Sequence, residues 1–260
     1  MTTISVVIPA LNDASMLKVC LAALAAQTRP ADEIIVVDNG STDDTAAVGI
    51  AGGARVISEP VRGIFPATSA GFDAATGDVI ARLDADSIPA SDWLERIETV
   101  FAGLDPLTSL TGAASFYGST ALVHWLGRVI YIGGMYWSIN ILLGHPPLFG
   151  SNFAMPAEVW RRVRGTVNRG VRNIHDDLDL SWHLEPDMNV VYDRGLRVQI
   201  SARPFGSPAA LGRRLGWVYT TLSLDFAEQS PLRRRRARRE WLESQLALME
   251  IDETPDGLVA

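Results

Sequence analysis

Short runs of aliphatic and β-branched residues alternate with helical spacing through the first hundred positions. Ile4 to Pro9 and Glu33 to Asp38 read as strands, the stretch from about Ala14 to Ala26 reads as a helix, and another helix follows Ser41. Arg55 to Ser58 and Val79 to Leu83 supply two more strands. Pro66 to Thr76 has helical spacing ending at Gly77, and Ser91, with Leu94, Glu95, Ile97, Glu98 and Phe101 behind it, opens a further helix. This alternation predicts a parallel sheet covered by helices. The second half is less regular. Its pattern predicts a strand over Ser109 to Tyr117, a short helix over Ala157 to Arg164, a helix over Asp176 to Glu185 and a last helical stretch from near Ala209. Asn189 to Tyr192 and Leu196 to Ile200 read as a pair of strands around the turn Asp193-Arg194-Gly195. There is no internal repeat and no low-complexity linker, so both halves are expected to share one core.

A chain of 260 residues with 47% hydrophobic composition can bury a substantial core, which excludes a disordered or fibrous protein. Its formal charge of −7 offers no broad cationic surface, so no nucleic-acid partner is expected. The local exception is Arg233 to Arg239. Cys20, in an apolar helical pattern, is the single cysteine, which excludes an intramolecular disulfide and a thiolate-rich zinc site. Met1 is followed at once by a strand pattern with no signal-peptide profile, and the expectation is a cytoplasmic protein.

In open parallel sheets ligands gather where strands end, because backbone amides and helix N-termini converge there. Asn12 follows the first strand, Asp38 to Ser41 the second, and Asp84 and Asp86 the fourth. Two carboxylates two residues apart in extended chain point to one side. The Asp84-Ala85-Asp86 pair can therefore hold a hard cation such as Mg²⁺ or Mn²⁺ together with phosphate oxygens. The plainer alternative is a solvated turn with Asp86 capping the next helix. Ser41 with Asp44 three residues on fits a capping-box start, whereas Asp38 at the end of a buried strand must find donors, for which a nucleobase N–H is suitable. In Ile174-His175-Asp176-Asp177-Leu178-Asp179, three acids open a helix, and opposing the helix dipole is the plain reading. His175 and His183 receive no assignment.

Four features in order resemble glycosyltransferase family 2: Val6-Val7-Ile8-Pro9-Ala10-Leu11-Asn12, Val37-Asp38-Asn39-Gly40-Ser41-Thr42-Asp43, Gly63 through Gly71 leading to Ala75-Thr76-Gly77-Asp78, and Asp84-Ala85-Asp86. The resemblance implies an α/β GT-A fold, a nucleotide-binding, Rossmann-like mixed sheet flanked by helices in a single compact domain. Residues 1–117 would form the nucleotide-sugar-binding half, 118–228 the acceptor-side and catalytic-base half, and 229–260 a basic helical tail. It further implies an inverting, metal-dependent glycosyltransferase, of hexosyl type, using Mn²⁺ or Mg²⁺ and a UDP- or GDP-linked sugar. Pro9, Ala10 and Asn12 would line the base and ribose pocket and Asp38 would contact the base. Asn39, Gly63, Ser69 and Ala85 would also lie on the donor side. Asp84 would reach the ribose or the metal, and Asp86 the metal. Where the family often has Ala-Arg-Asn this chain has Ala67-Thr68-Ser69, leaving Arg62 as a candidate diphosphate contact. The segment around Asp177 is similar to the family's Glu-Asp-x-Asp-Leu, which makes Asp177 the general base for the acceptor hydroxyl. Gly150, Ser151, Asn152 and Asp176 would face the acceptor side. Of the Gln-x-x-Arg-Trp of processive members only Trp217 matches, with Arg213 and Gly216 at the other positions, so a single sugar transfer is expected.

Ser119 to Gly144 carries one fully charged residue, Arg128, among Trp125, Tyr131, Tyr136 and Trp137. Glycines interrupt it too soon for a spanning helix, and it reads as core, acceptor wall or interfacial segment. With the Arg233 to Arg239 run, which is either a solvated helix face paired with Glu240 and Glu243 or a contact to anionic lipid, it raises the expectation of a peripheral protein at the inner face of the membrane and a lipid-linked acceptor. Two rivals stand beside the transferase. A sugar nucleotidyltransferase should carry a Gly-rich basic loop after the first strand, which Pro9-Ala10-Leu11-Asn12 lacks. A catalytically silent nucleotide-binding or membrane-associated scaffold with the same fold is the other.

Overall fold

The computed structural model describes residues 2–118, 134–203 and 208–252. In chain order the strands are β1 (Ile4–Ala10), β2 (Glu33–Asp38), β3 (Arg55–Ser58), β4 (Val79–Arg82), β5 (Ile88–Pro89), β6 (Thr108–Tyr117), β7 (Phe153–Pro156) and β8 (Asn189–Ser201). The helices are α1 (Ala14–Ala25), α2 (Thr45–Ala51), α3 (Ile64–Ala74), α4 (Trp93–Phe101), α5 (Gly134–Leu143), α6 (Ala157–Val163), α7 (Asp176–His183), α8 (Pro208–Glu228) and α9 (Pro231–Asp252).

The strands form one sheet in the order β3-β2-β1-β4-β7-β6-β8-β5. β1 runs parallel to β2 and β4, and β2 to β3, as the alternation predicts. β7 is antiparallel to both its neighbours, β4 and β6, which makes the sheet mixed. That reversal positions the site: the residues just before β7 arrive at the same edge of the sheet as the residues just after β4.

Side chains alternate across the sheet and build two apolar layers. Ile4, Val6, Ile8 and Val36 join Leu17, Cys20, Trp93 and Leu94 on one face. Val7, Ile35 and Val37 join Phe65, Phe72, Phe153 and Trp160 on the other. α3 lies close on the second layer because residue 71 is glycine; a Cβ there would stand 2.3 Å from Val7 Cγ1 and 2.9 Å from Val37 Cγ2.

Three sequence readings change. Residues 189–201 are one strand rather than two around a turn, and both halves run parallel to β6. Arg194, Gly195 and Leu196 bulge from it between Asp193, opposite Gly112, and Arg197, opposite Ala113; the bulge is held because Asp193 accepts the Gly195 N–H at 2.8 Å and pairs with Arg96 at 2.5 Å. Ser41 and Asp44 form no capping box: Asp44 occupies the N-cap without a side-chain bond, and the Ser41 hydroxyl accepts the Asn12 N–H at 3.0 Å instead. Asp86 caps nothing, since α4 starts after Asp92.

Of the aromatic segment, residues 119–133 lie outside the described residues, Trp125, Arg128 and Tyr131 among them. Its remainder is α5, where Ile139 and Leu143 are core against Leu178 and Trp182 of α7, while Trp137 is exposed. Among the described residues no helix is long and apolar enough to cross a membrane. The arginine run is not a uniform solvated face. Arg236 and Arg239 pair with Glu240 and Glu243, but Arg234 is buried against the carbonyls of Ser181, Trp182 and Leu184, and Arg238 donates to the Met188 carbonyl at 2.7 Å. Spacing by four puts 234 and 238 on the inner face of α9.

Candidate functional site

β4 is buried along its whole length and ends in an arginine. Arg82 is 2% exposed, so its charge must be met inside the protein. It pairs with Asp84 at 3.0 Å and Asp176 at 3.1 Å. Burial opposes the cation, but the carboxylates of Asp176, Asp84, Asp177 and Asp86 outweigh it and hold the guanidinium above its ordinary pKa. The side chain thus forms the floor of an acidic cluster drawn from two distant stretches of chain.

Past Leu83 the chain is not extended as the sequence suggests but closes a tight turn, with the Ser87 N–H donating to the Asp84 carbonyl at 3.0 Å and the Asp84 N–H to the Ser87 hydroxyl at 3.1 Å. Ala85 is buried in the apolar layer while Asp84 and Asp86 stay partly exposed. One Asp84 oxygen faces Arg82 and the other accepts a short hydrogen bond from the Ser151 hydroxyl. Asp86 pairs with Arg203 at 3.2 Å, and Arg203 also reaches Asp13 at 2.7 Å. Burial first, and Asp84 second, push the Asp86 carboxyl up to about 6 despite that partner. Two close, half-buried acids, with the charge of Asp84 opposing the ionisation of Asp86, are a donor set that a hard dication relieves. The residues therefore fit a divalent ion, with Arg203, which is half exposed, able to turn toward solvent.

α7 brings the second group of acids. Its first residue, Asp176, turns inward, takes the Thr68 hydroxyl at 2.7 Å and faces Arg82, and burial raises its pKa. The next residue, Asp177, turns outward. One of its oxygens accepts the Gly150 N–H at 2.8 Å and the other the Leu178 N–H at 2.9 Å. Gly150 is required by that approach: a Cβ would sit 2.0 Å from Arg82 Nη1 and 3.0 Å from Asp177 Oδ2. Gly150 and Ser151, delivered by the antiparallel β7, thereby bridge Asp177 to Asp84.

The other residues singled out in the sequence divide into two groups. Pro9 and Ala10 end β1 beside Asp38, the register partner of Ala10. Asn12 has φ of 54°, and its Oδ1 accepts the Thr42 N–H at 2.7 Å, tying the first strand-end loop to the second. Asp38 takes the Ser41 N–H at 3.0 Å, so part of its donor requirement is met locally. Asn39 is a bracket for the backbone, donating to the Glu59 and Val61 carbonyls and accepting the Gly63 N–H, all at 2.8 Å. Ser69 is fully buried in α3 and its hydroxyl has no partner, so Thr68 is the residue of this helix that reaches the acids. Asn152 is buried between Trp93 and the Leu196 carbonyl, at 2.8 Å from each, and Asp176 faces Arg82; neither opens toward an acceptor. Arg62 lies beside Gly40.

Arg82 and Arg203 were not singled out in the sequence. A charged residue inside the apolar run Val79 to Leu83, directly before two acids, was the available signal for Arg82. Arg203 carries no local signal, because only the end of β8 brings it opposite Asp86. His175 packs edge-on against Trp217 with ring centroids 6.1 Å apart, placing the middle of α8 beside the start of α7.

Comparison with known proteins places these residues in a family. Residues 5–142, more than half of the chain, match the model of glycosyl transferase family 2. An uncharacterized glycosyltransferase of Mycobacterium tuberculosis is 42% identical over 106 residues, 40% of this chain and 47% of that protein. Glycosyltransferase AglE of Haloferax volcanii is 33% identical over 108 residues, 38% of this chain and 36% of its own length. The chain thus spans less than half the length of the relatives it matches. The structure of glucosyl-3-phosphoglycerate synthase from Mycobacterium tuberculosis in complex with Mg²⁺ and uridine diphosphate superposes with a TM-score of 0.61 over 86% of this chain and 79% of that one, at 24% identity, a likeness of fold. The strand-end acids, the mixed sheet and the family match agree: this chain belongs to glycosyl transferase family 2.

Proposed function

We propose that the protein transfers one sugar, with inversion, from a nucleoside-diphosphate sugar to an acceptor hydroxyl. The observation that carries this reading is the meeting of Asp84 and Asp86 with Asp177 along one wall, bridged by Gly150 and Ser151. The acceptor hydroxyl gives its proton to Asp177 as its oxygen bonds to the anomeric carbon, and the bond from that carbon to the diphosphate breaks on the opposite face. Each Asp177 oxygen keeps a lone pair beyond its backbone bond for this role. Asp86 and Asp84 would hold Mn²⁺ or Mg²⁺, which supplies positive charge to the leaving diphosphate. Asp38, at the end of β2, would receive the base. The solved synthase bound to uridine diphosphate and Mg²⁺ supports a UDP-linked donor.

Calorimetric titration of UDP-, GDP- and TDP-sugars with Mn²⁺ tests the donor side. Binding of a UDP-sugar that disappears on chelation is expected, and no binding of any nucleoside-diphosphate sugar would refute the transferase reading and leave only the membrane-associated scaffold. Asp177→Asn should keep donor affinity within about threefold and lose donor hydrolysis and transfer by at least a hundredfold; full activity in that variant would assign the base elsewhere.

The acceptor end of the proposal is a hydroxyl carried at an anionic membrane surface. Gly144, at the end of α5, lies against Arg235 and Arg238 of α9, so the aromatic segment and the arginine run adjoin. Protein that stays in the bottom fraction on flotation with anionic liposomes removes the membrane from this reading.

A further inference from the structure

On the inner side of α7, away from Asp177, two buried carboxylates face each other. Asp179 and Asp225 are both fully buried, and with His183 they bring one ligand atom each within 4.8 Å of one another. Asp179 is partly satisfied, since Asn168 donates to it from its backbone at 3.0 Å and from its side chain at 2.8 Å. Neither oxygen of Asp225 has a hydrogen-bond partner. Two carboxylates this close in a dry interior need something positive beside them. The His183 ring, when protonated, meets Asp179 Oδ2 at 3.3 Å, which leaves Asp225 as the acid without a bond. Arg234 is the nearby guanidinium, and its bonds go to main-chain carbonyls and His145.

We infer that Asp179, His183 and Asp225 form a second metal site, for a Zn²⁺-class divalent cation, which pins α7 to α8. The donor set of one imidazole nitrogen and two carboxylate oxygens suits zinc, with a water completing the shell. Zn–N and Zn–O bonds of about 2.0–2.2 Å set ligand atoms roughly 3.3–3.5 Å apart in a tetrahedron. His183 Nδ1 and Asp179 Oδ2 already stand 3.3 Å apart. The orienting partner is also built: Nε2 of His183 lies 2.9 Å from Glu228 Oε2, which fixes the ring by taking the Nε2 proton. Nδ1 then gives up its contact with the Asp179 carbonyl, at 2.8 Å, and its proton, and turns its lone pair to the ion. Access is from a cavity of about 330 Å³ lined by Thr166, Trp182, His183, Glu185, Glu228 and Arg234.

Metal content tests this independently of the transferase reading. The full chain, purified without an affinity tag, is stripped with a chelator and equilibrated with excess Zn²⁺. Asp84→Ala/Asp86→Ala removes the donor-side carboxylates, and one tightly held zinc per chain is expected to remain. Asp225→Asn, which keeps the side-chain shape, and His183→Gln should each weaken that zinc at least tenfold in competition with a chromophoric chelator. Substituted Co²⁺ should give visible bands that vanish in the same variants, with circular dichroism confirming that they fold. No zinc in the double donor-side variant, or zinc unaffected by Asp225→Asn and His183→Gln, would overturn the inference and leave the protonated His183 ring on Asp179, with a proton on Asp225, as what balances the two acids.

Discussion

Removing the Arg82 side chain as Arg82→Met tests how the acidic cluster is held together. The guanidinium is almost fully buried and serves Asp84 and Asp176 at 3.0 and 3.1 Å. Asp84 is about one-third exposed in its side chain (35%) and can exchange the lost partner for water. Asp176 cannot, because its side chain is 7% exposed and keeps only the Thr68 hydroxyl. Leaving one member of a buried pair uncompensated costs about 3–5 kcal/mol. In a domain of this size each kcal/mol lowers the melting midpoint by about 2–4 °C, so the fall should be roughly 6–20 °C. Introducing Asp176→Leu into Arg82→Met removes the stranded charge along with its partner, and replacing both members of a buried pair by apolar groups is often nearly neutral. The double variant should therefore recover at least half of the loss. Thermal and urea unfolding followed by circular dichroism give all four corners of the cycle. A single variant within about 1 kcal/mol of the parent, or a double variant whose loss equals the sum of the two singles, would refute the claim that the pair is a unit.

Two pH effects of opposite sign follow from buried groups. Asp86, raised to about 6 from 3.8, contributes stability that is full below 3.8 and is lost as pH rises through 6, a change of order 2–3 kcal/mol. Because a cation needs the ionised form, stabilisation by Mn²⁺ in thermal shift should be larger at pH 7.5 than at pH 5, and Asp86→Asn should flatten that dependence. His145 accepts a bond from Arg234 at 2.8 Å and, through burial and that cation, is lowered to about 3. Its contribution is full above 6.5 and lost as pH falls toward 3, so the urea stability of the parent relative to His145→Gln should shrink by about 2 kcal/mol between pH 7.5 and 5.

The first half of the fold was legible because its strands are long enough to repeat and its helices keep one apolar face. β7 was not, since Phe153-Ala154-Met155-Pro156 is short and buried, has no alternation, and exists as a strand because β4 and β6 flank it. The bulge in β8 read as a turn for a related reason. Asp-Arg-Gly has turn chemistry, and only pairing of both flanks with β6 shows that the chain continues in one direction. Polar residues in strand-end loops misled in a consistent way. Asn39 and Asn152 carry amides that satisfy main-chain groups of neighbouring loops, a use indistinguishable in sequence from ligand contact.

Asp176 and Asp177 show why the site itself was only partly legible. Consecutive residues on a helix diverge by about 100°, so at the start of α7 one acid enters the protein and the next leaves it. Their shared composition hides opposite duties: Asp176 anchors the helix to Arg82, and Asp177 is presented beside Gly150. The anchor gives the outward acid its position, because Arg82 also holds Asp84, and one buried cation thus sets the spacing between two stretches nearly a hundred residues apart in sequence. A lysine could supply the charge at 82 but not two pairs from one planar group. Arg82→Lys should accordingly retain more stability than Arg82→Met while loosening the register between the Asp84 and Asp177 walls, which is where the proposed transfer takes place.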